Sequence, residues 1–277
     1  MLVCPKCGQK LNKVDNTYKC NNNHSYDISK DGYVNLLLSR SHAGDCKEMV
    51  EARNVFLNNG YYYPLANKIK EILSSYISKD DYILDCGCGT GYYDNVIKQD
   101  YPNIIGCDIS KDAIIKACKN NKDLFYFVAN GISIPLASKS VSCILNIFSP
   151  TFAKENYRLL KDDGIMIIVA PGANHLIELK KAIYDDAYKN DVASPSFSEF
   201  DLINTMCVAT NELIPNDDLI NITKMTPYFY KSNHEGLDNL LSIKELKITI
   251  EFKIYIYKKN KLLWYSLLFF LVSMHYY

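Results

Sequence analysis

The chain has 277 residues and no net charge, with 31 Lys+Arg against 31 Asp+Glu. That length suits one large domain or two smaller ones and is ample for a core burying roughly three quarters of the unfolded surface. With 48% apolar and 22% charged residues, wholesale disorder is excluded, and overall neutrality alone gives no sign of a nucleic-acid partner. The opening residues Met1–Lys6 have neither the charged nor the apolar region of a secretory signal. No apolar run reaches the roughly 18 residues of a membrane span. The chain is therefore expected to be cytoplasmic, without stable membrane association. Its ten cysteines are then better metal ligands or free thiols than disulfides.

Taken in chain order, the first specific signal is Cys4, Cys7, Cys20 and His24, spaced C-x2-C-x12-C-x3-H. Two cysteines two apart form a tight knuckle, and the second pair closes a tetrahedron. Thiolate and imidazole suit Zn²⁺, and four protein ligands leave no open position, so the site is read as structural. A short hairpin containing Leu11 and Tyr18 is expected between the pairs. His42 and Cys46 fit no ligand spacing. Residues 1–41 carry six basic side chains against three acidic ones, a net of +3. A basic metal ribbon of this kind suits either RNA recognition or a solvated structural cap.

Tyr82–Cys86 reads as a buried strand, and Gly87, Gly89 and Gly91 follow as a loop before a helical pattern. Glycines there let the backbone approach a ligand closely. Asp85 stands at the strand end. About twenty residues on, Asn103–Asp108 reads as the next strand, with Asp108 placed to reach a ribose diol. Phe127–Asn130 and Val141–Phe148 read as strands three and four, and Asn156–Lys161, Asp162–Gly164 and Ile165–Ala170 together resemble the leader, glycine loop and fifth strand of such a sheet. A dinucleotide fingerprint would leave two residues before its third glycine. Here Asp85-x-Gly87-x-Gly89-x-Gly91 instead resembles motif I of the class I methyltransferases, which bind S-adenosylmethionine.

The whole chain, over about residues 3–258, resembles the RlmA family, guanine-N1 methyltransferases acting on 23S ribosomal RNA. The knuckle, Lys30–Leu37, Ala52-Arg53, Gly60, Pro64-Leu65, Pro171-Gly172, His175-Leu176 and Met225–Tyr228 carry that resemblance. It implies an α/β fold: a Rossmann-like methyltransferase with a seven-stranded, mostly parallel sheet and a small N-terminal zinc ribbon. It implies that S-adenosyl-L-methionine is held by Tyr62, Asp85, Gly87, Gly89, Thr90, Gly91, Asp108, Asn130 and His175. Zinc would be held by Cys4, Cys7, Cys20 and His24. The expected partner is a hairpin of 23S ribosomal RNA. Guanine N1 carries a proton at neutral pH, so a base is needed; His175 and Asn146 are the candidates at the site.

The expected organisation is a ribbon (1–41), a helical linker (42–78), a methyltransferase domain (79–258) and an apolar tail (259–277). The tail has no family counterpart; packing on the body or pairing into a homodimer suits its length. Two other readings stay open: a small-molecule methyltransferase, which has no need of a ribbon, and a zinc-ribbon RNA-binding protein with an inactive body. Six Lys against two Glu give residues 241–277 a net of +4, which leaves −7 for residues 42–240. Neutrality is thus an average of two basic ends and an acidic body, which is compatible with an RNA partner.

Overall fold

The computed structural model describes residues 1–39, 44–184, 187–226 and 234–260. The apolar run of the tail, from residue 261, and His42 lie outside the described residues. Two sheets form. The first is an antiparallel meander of β1 (Asn12–Val14), β2 (Thr17–Lys19) and β3 (Ser25–Asp27). The expected hairpin is its first two strands.

The second sheet contains β4 (Val34–Asn35), β5 (Ile83–Cys86), β6 (Ile104–Asp108), β7 (Phe125–Val128), β8 (Val141–Ile147), β9 (Leu160–Pro171), β10 (Phe200–Pro215) and β11 (Glu245–Lys259). Its order is β10-β11-β9-β8-β5-β6-β7-β4. The pairs from β4 through β9 are parallel; β11 and β10 add antiparallel at one edge. The sheet therefore has eight strands where seven were expected. The eighth is β4, two residues following the ribbon, in which Val34 pairs with Phe127 and Asn35 with Val128.

Helices α1 (Lys47–Asn58), α2 (Tyr63–Ser74), α3 (Tyr92–Ile97), α4 (Lys111–Asn120), α5 (Ala153–Leu159), α6 (Ile177–Ile183), α7 (Asn216–Lys224) and α8 (His234–Ser242) surround this sheet. Near-continuous apolar strands explain the layering. Alternate residues point to opposite faces. Ile83, Ile104, Leu145 and Ile167 pack with Leu65 and Ile69 of α2 and Leu179 of α6. Their neighbours Leu84, Ile105, Ile144 and Ile168 pack on the other face. There they meet Leu2, Cys4, Leu11 and Cys20, so the ribbon shares a core with the sheet.

Two further ties fix the ribbon. Leu2 bridges Leu136, and the Val3 amide donates to the Pro135 carbonyl at 2.9 Å. At its other end, the Leu36 amide donates to the Val128 carbonyl at 2.9 Å. The segment from Phe127 to Leu136 is thus clamped by both ends of the N-terminal module.

Candidate active site and metal centre

Strand order reverses at β5, which lies between β6 and β8, and such switch points open a crevice at the carboxyl ends of the strands. The glycine loop leaves β5 there. Gly87 has φ +83°, and a Cβ on it would sit 2.5 Å from Ser149 Cβ. Gly91 has φ +69°, and a Cβ would meet the Tyr126 hydroxyl at 2.7 Å. Only glycine satisfies both demands at these two positions. The Gly89 amide donates to Asp108 Oδ2 at 3.0 Å, tying the loop to the end of β6.

Above the loop lies a cleft of about 380 Å³, lined among others by Gly87, Gly89, Asp108, Asn130 and Phe148. A smaller cavity adjoins it, reached by Tyr62, Asp85, Thr90 and Arg53. Of the residues expected to hold the cofactor, seven reach one cavity or the other. Gly91 shapes the loop from below. His175 lines neither cavity; it sits behind Tyr62 and Phe148.

The electrostatics of the loop are unusual. Asp85 is 1% exposed, and its Oδ1 has no hydrogen-bond partner among the described residues. Burial, followed by the neighbouring charge of Asp94, pushes its pKa well above the usual carboxylate range. Burial also raises Asp94, to about 6, against the Tyr126 hydroxyl that donates to it at 2.9 Å. Two buried carboxyls this close share a proton. Burial raises Asp108 as well, opposed by the amides of Ser110 and Gly89.

Neither candidate base fits that role. His175 Nδ1 accepts the Glu251 amide at 3.2 Å, so a neutral ring carries its proton on Nε2, facing the Tyr62 hydroxyl at 3.3 Å. Burial, with the charge of Lys180, drives its pKa down to about 3 rather than tuning it towards neutrality. Asn146 is fully buried. Its Oδ1 accepts from Asn156 at 2.9 Å, and its Nδ2 holds Ser149 and Pro150, which fixes the tip of β8.

Sequence reasoning gave no role to two prominent wall residues. Arg53 lines both cavities from α1 and is paired with Asp45 at 2.8 Å. Phe148, 37% exposed, has φ +53°, rare for a bulky side chain. Arg53's signal was its rarity, as one of three arginines; the backbone of Phe148 left none.

In the ribbon, the ligand atoms of Cys4, Cys7, Cys20 and His24 all lie within 4.8 Å of one another. Cys4 Sγ is 3.4 Å and Cys20 Sγ 3.5 Å from His24 Nδ1, and Cys7 and Cys20 Sγ are 3.7 Å apart. Tetrahedral zinc with Zn–S of about 2.3 Å and Zn–N of about 2.05 Å needs edges of about 3.6 and 3.8 Å. The cluster fits. The Tyr26 hydroxyl lies 3.3 Å from Cys4 Sγ, an outer partner that orients the thiolate.

Residues 2–40 match the family model for the RlmA N-terminal zinc ribbon, and residues 84–168 match a methyltransferase domain. A putative 23S rRNA (guanine-N(1)-)-methyltransferase of Bacillus subtilis is 31% identical over 92% of this chain and 96% of its own length. This chain belongs to the RlmA family. A putative 23S rRNA (guanine-N(1)-)-methyltransferase of Micromonospora griseorubida is 32% identical, over 64% of this chain and 68% of its own. The 23S rRNA (guanine(748)-N(1))-methyltransferase of Streptomyces fradiae is 27% identical over 91% of this chain and 95% of its own. For an RlmA-family member the fold is the Rossmann-like methyltransferase with an N-terminal ribbon, and the cofactors are S-adenosylmethionine and zinc. Among the described residues, no helix is long and apolar enough to cross a membrane.

Proposed function

We propose that this protein transfers a methyl group from S-adenosyl-L-methionine to N1 of a guanine in a hairpin loop of 23S ribosomal RNA, in the cytoplasm. The observation that carries the reading is the shared segment Phe127–Leu136. It lines the cofactor cleft through Asn130 and Gly131, and both ends of the ribbon are bonded to it. A small-molecule methyltransferase has no use for that coupling.

In this reading residues 1–41 recognise RNA and residues 79–258 perform the transfer, with the helical segment 42–78 closing the cofactor site. Lys6, Lys10, Lys13 and Lys19 are all exposed on the ribbon and offer point charges to phosphates. Cys4, Cys7, Cys20 and His24 hold zinc, which stabilises a module too small for a core of its own.

S-adenosylmethionine, when bound, supplies the sulfonium-activated methyl group. Gly89 and Thr90 would contact its methionine portion, on a turn shaped by Gly87 and Gly91, and Asp108 would hold the ribose hydroxyls. Asn130 stands at the adenine end. Tyr62 presents a ring to the sulfonium side. His175, held neutral by burial, orients Tyr62 from behind. The protein thus acts mainly by orientation and electrostatics.

Reverse transcription on 23S rRNA from cells with and without the gene tests the proposal. Methylation at N1 blocks base pairing, so a stop is expected at one guanine only when the gene is present. Identical profiles from both strains would contradict it.

A further inference from the structure

We propose that Arg53 anchors the α-carboxylate of the cofactor's methionine end, with Asp45 as the tether that aims it. This rests on S-adenosylmethionine being the cofactor. That molecule ends in a zwitterion, an ammonium and a carboxylate on one carbon, and its recognition calls for a hydrogen-bond acceptor and a cationic group close together. The smaller cavity beside the glycine loop has that pair. Asp85, whose buried Oδ1 has no partner among the described residues, lines it, and Arg53 lines it from α1.

Among the described residues lining either cavity, Arg53 is the only cation. Arg158 is committed elsewhere, to Glu155 and to the carbonyls of Ile134 and Leu136. The Arg53 stem passes 3.7 Å from where a Gly89 Cβ would stand, so the guanidinium overlooks the loop.

Its fork is half used. Nε donates to Asp45 Oδ2 at 2.9 Å and Nη2 to the Met225 carbonyl at 3.2 Å. Nη1 has no partner among the described residues. Asp45 is itself fixed, because Ser110 Oγ donates to its carbonyl at 2.7 Å. The guanidinium is thus held by one edge with the other edge open, the arrangement that suits a carboxylate.

Titration calorimetry on the full-length, zinc-loaded protein tests this with two ligands: S-adenosylmethionine and its decarboxylated form. Wild type is expected to favour the carboxylate-bearing ligand by about 10- to 100-fold. R53Q should lose that preference, with S-adenosylmethionine weakened by about the same factor and the decarboxylated ligand changed less than about twofold. R53K, which keeps the charge without the fork, should fall between them. Equal affinity of wild type for both ligands would overturn the proposal, as would an R53Q variant that keeps the wild-type preference. The wild-type comparison stands even if R53Q does not fold. Binding of neither ligand by wild type would instead overturn the cofactor assignment on which the proposal rests.

Discussion

The Tyr62 hydroxyl and His175 Nε2 lie 3.3 Å apart within a cluster of rings that includes Phe148 and Phe252. The Glu251 amide occupies the other ring nitrogen. His175 therefore has no lone pair to offer a substrate proton. Its place is behind the wall of the site, where it sets the angle of Tyr62.

This arrangement has a pH signature. An unfolded histidine titrates near 6.5, and folded His175 near 3. Between those values the unfolded state binds a proton that the folded state does not, so stability is lost as pH falls from about 6.5 towards 3. Asp94, raised to about 6, contributes with the opposite sign below pH 6. The histidine contribution is thus the difference between wild type and H175Q. Melting temperature should fall more steeply for wild type than for H175Q between pH 7 and 5, by up to about 1.4 kcal/mol per pH unit. Parallel melting profiles would place His175 in contact with solvent.

The Asp85–Asp94 pair predicts an asymmetry. Burial and the neighbouring charge of Asp94 hold the Asp85 carboxyl well above the usual carboxylate range, so its ionised form gains nothing from the fold. D85N should leave the melting temperature at pH 8 nearly unchanged or raise it, while weakening binding of S-adenosylmethionine. D94A removes the partner of the buried Tyr126 hydroxyl and should cost about 1–3 kcal/mol. Chemical denaturation of the two variants checks this.

Two glycines of the same loop should fail differently. G91A places a methyl 2.7 Å from the Tyr126 hydroxyl and 2.8 Å from Asn121 Nδ2 in left-handed backbone, and should cost about 2–4 kcal/mol of stability. G89A meets only the Arg53 stem at 3.7 Å. It should fold, with about 1 kcal/mol of backbone strain, and lose cofactor affinity by about tenfold or more. Calorimetric Kd and melting temperature separate the two.

Metal removal should reach the cofactor. Cys4 follows Val3, whose amide is bonded to Pro135, and the same segment carries Asn130 and Gly131 into the cleft. A strong chelator is expected to speed amide exchange over residues 127–137 and to weaken S-adenosylmethionine binding several-fold, with recovery on adding Zn²⁺. Unchanged exchange in that segment would show the ribbon to be energetically separate.

How much of this was legible in the sequence follows from the range of each interaction. The knuckle, the glycine loop and the strand ending in Asp108 are local patterns, and each appears where the spacing puts it. The final strand, whose densest apolar stretch is Ile254–Tyr257, runs from Glu245 to Lys259, because Ile248, Ile250 and Phe252 continue the alternation on the buried face. β10 had no comparable signal. It is an edge strand whose residues are mostly exposed or half-buried, and its pairing with β11 is specified by the partner. The burial of His175 and the open edge of Arg53 depend on contacts 76 and 172 residues away, with Glu251 and Met225, which no local pattern encodes.

The most direct test of the central claim is methyl transfer in vitro. Purified zinc-loaded protein, labelled S-adenosylmethionine and 23S rRNA from a strain lacking the gene are combined, and the product is read by nucleoside mass spectrometry and reverse transcription. The account predicts 1-methylguanosine at a single loop guanine, approaching one methyl per molecule, with G89A about tenfold or more slower at limiting cofactor. Label on another base or on guanine outside N1, or no label from a protein that binds the cofactor, would contradict it.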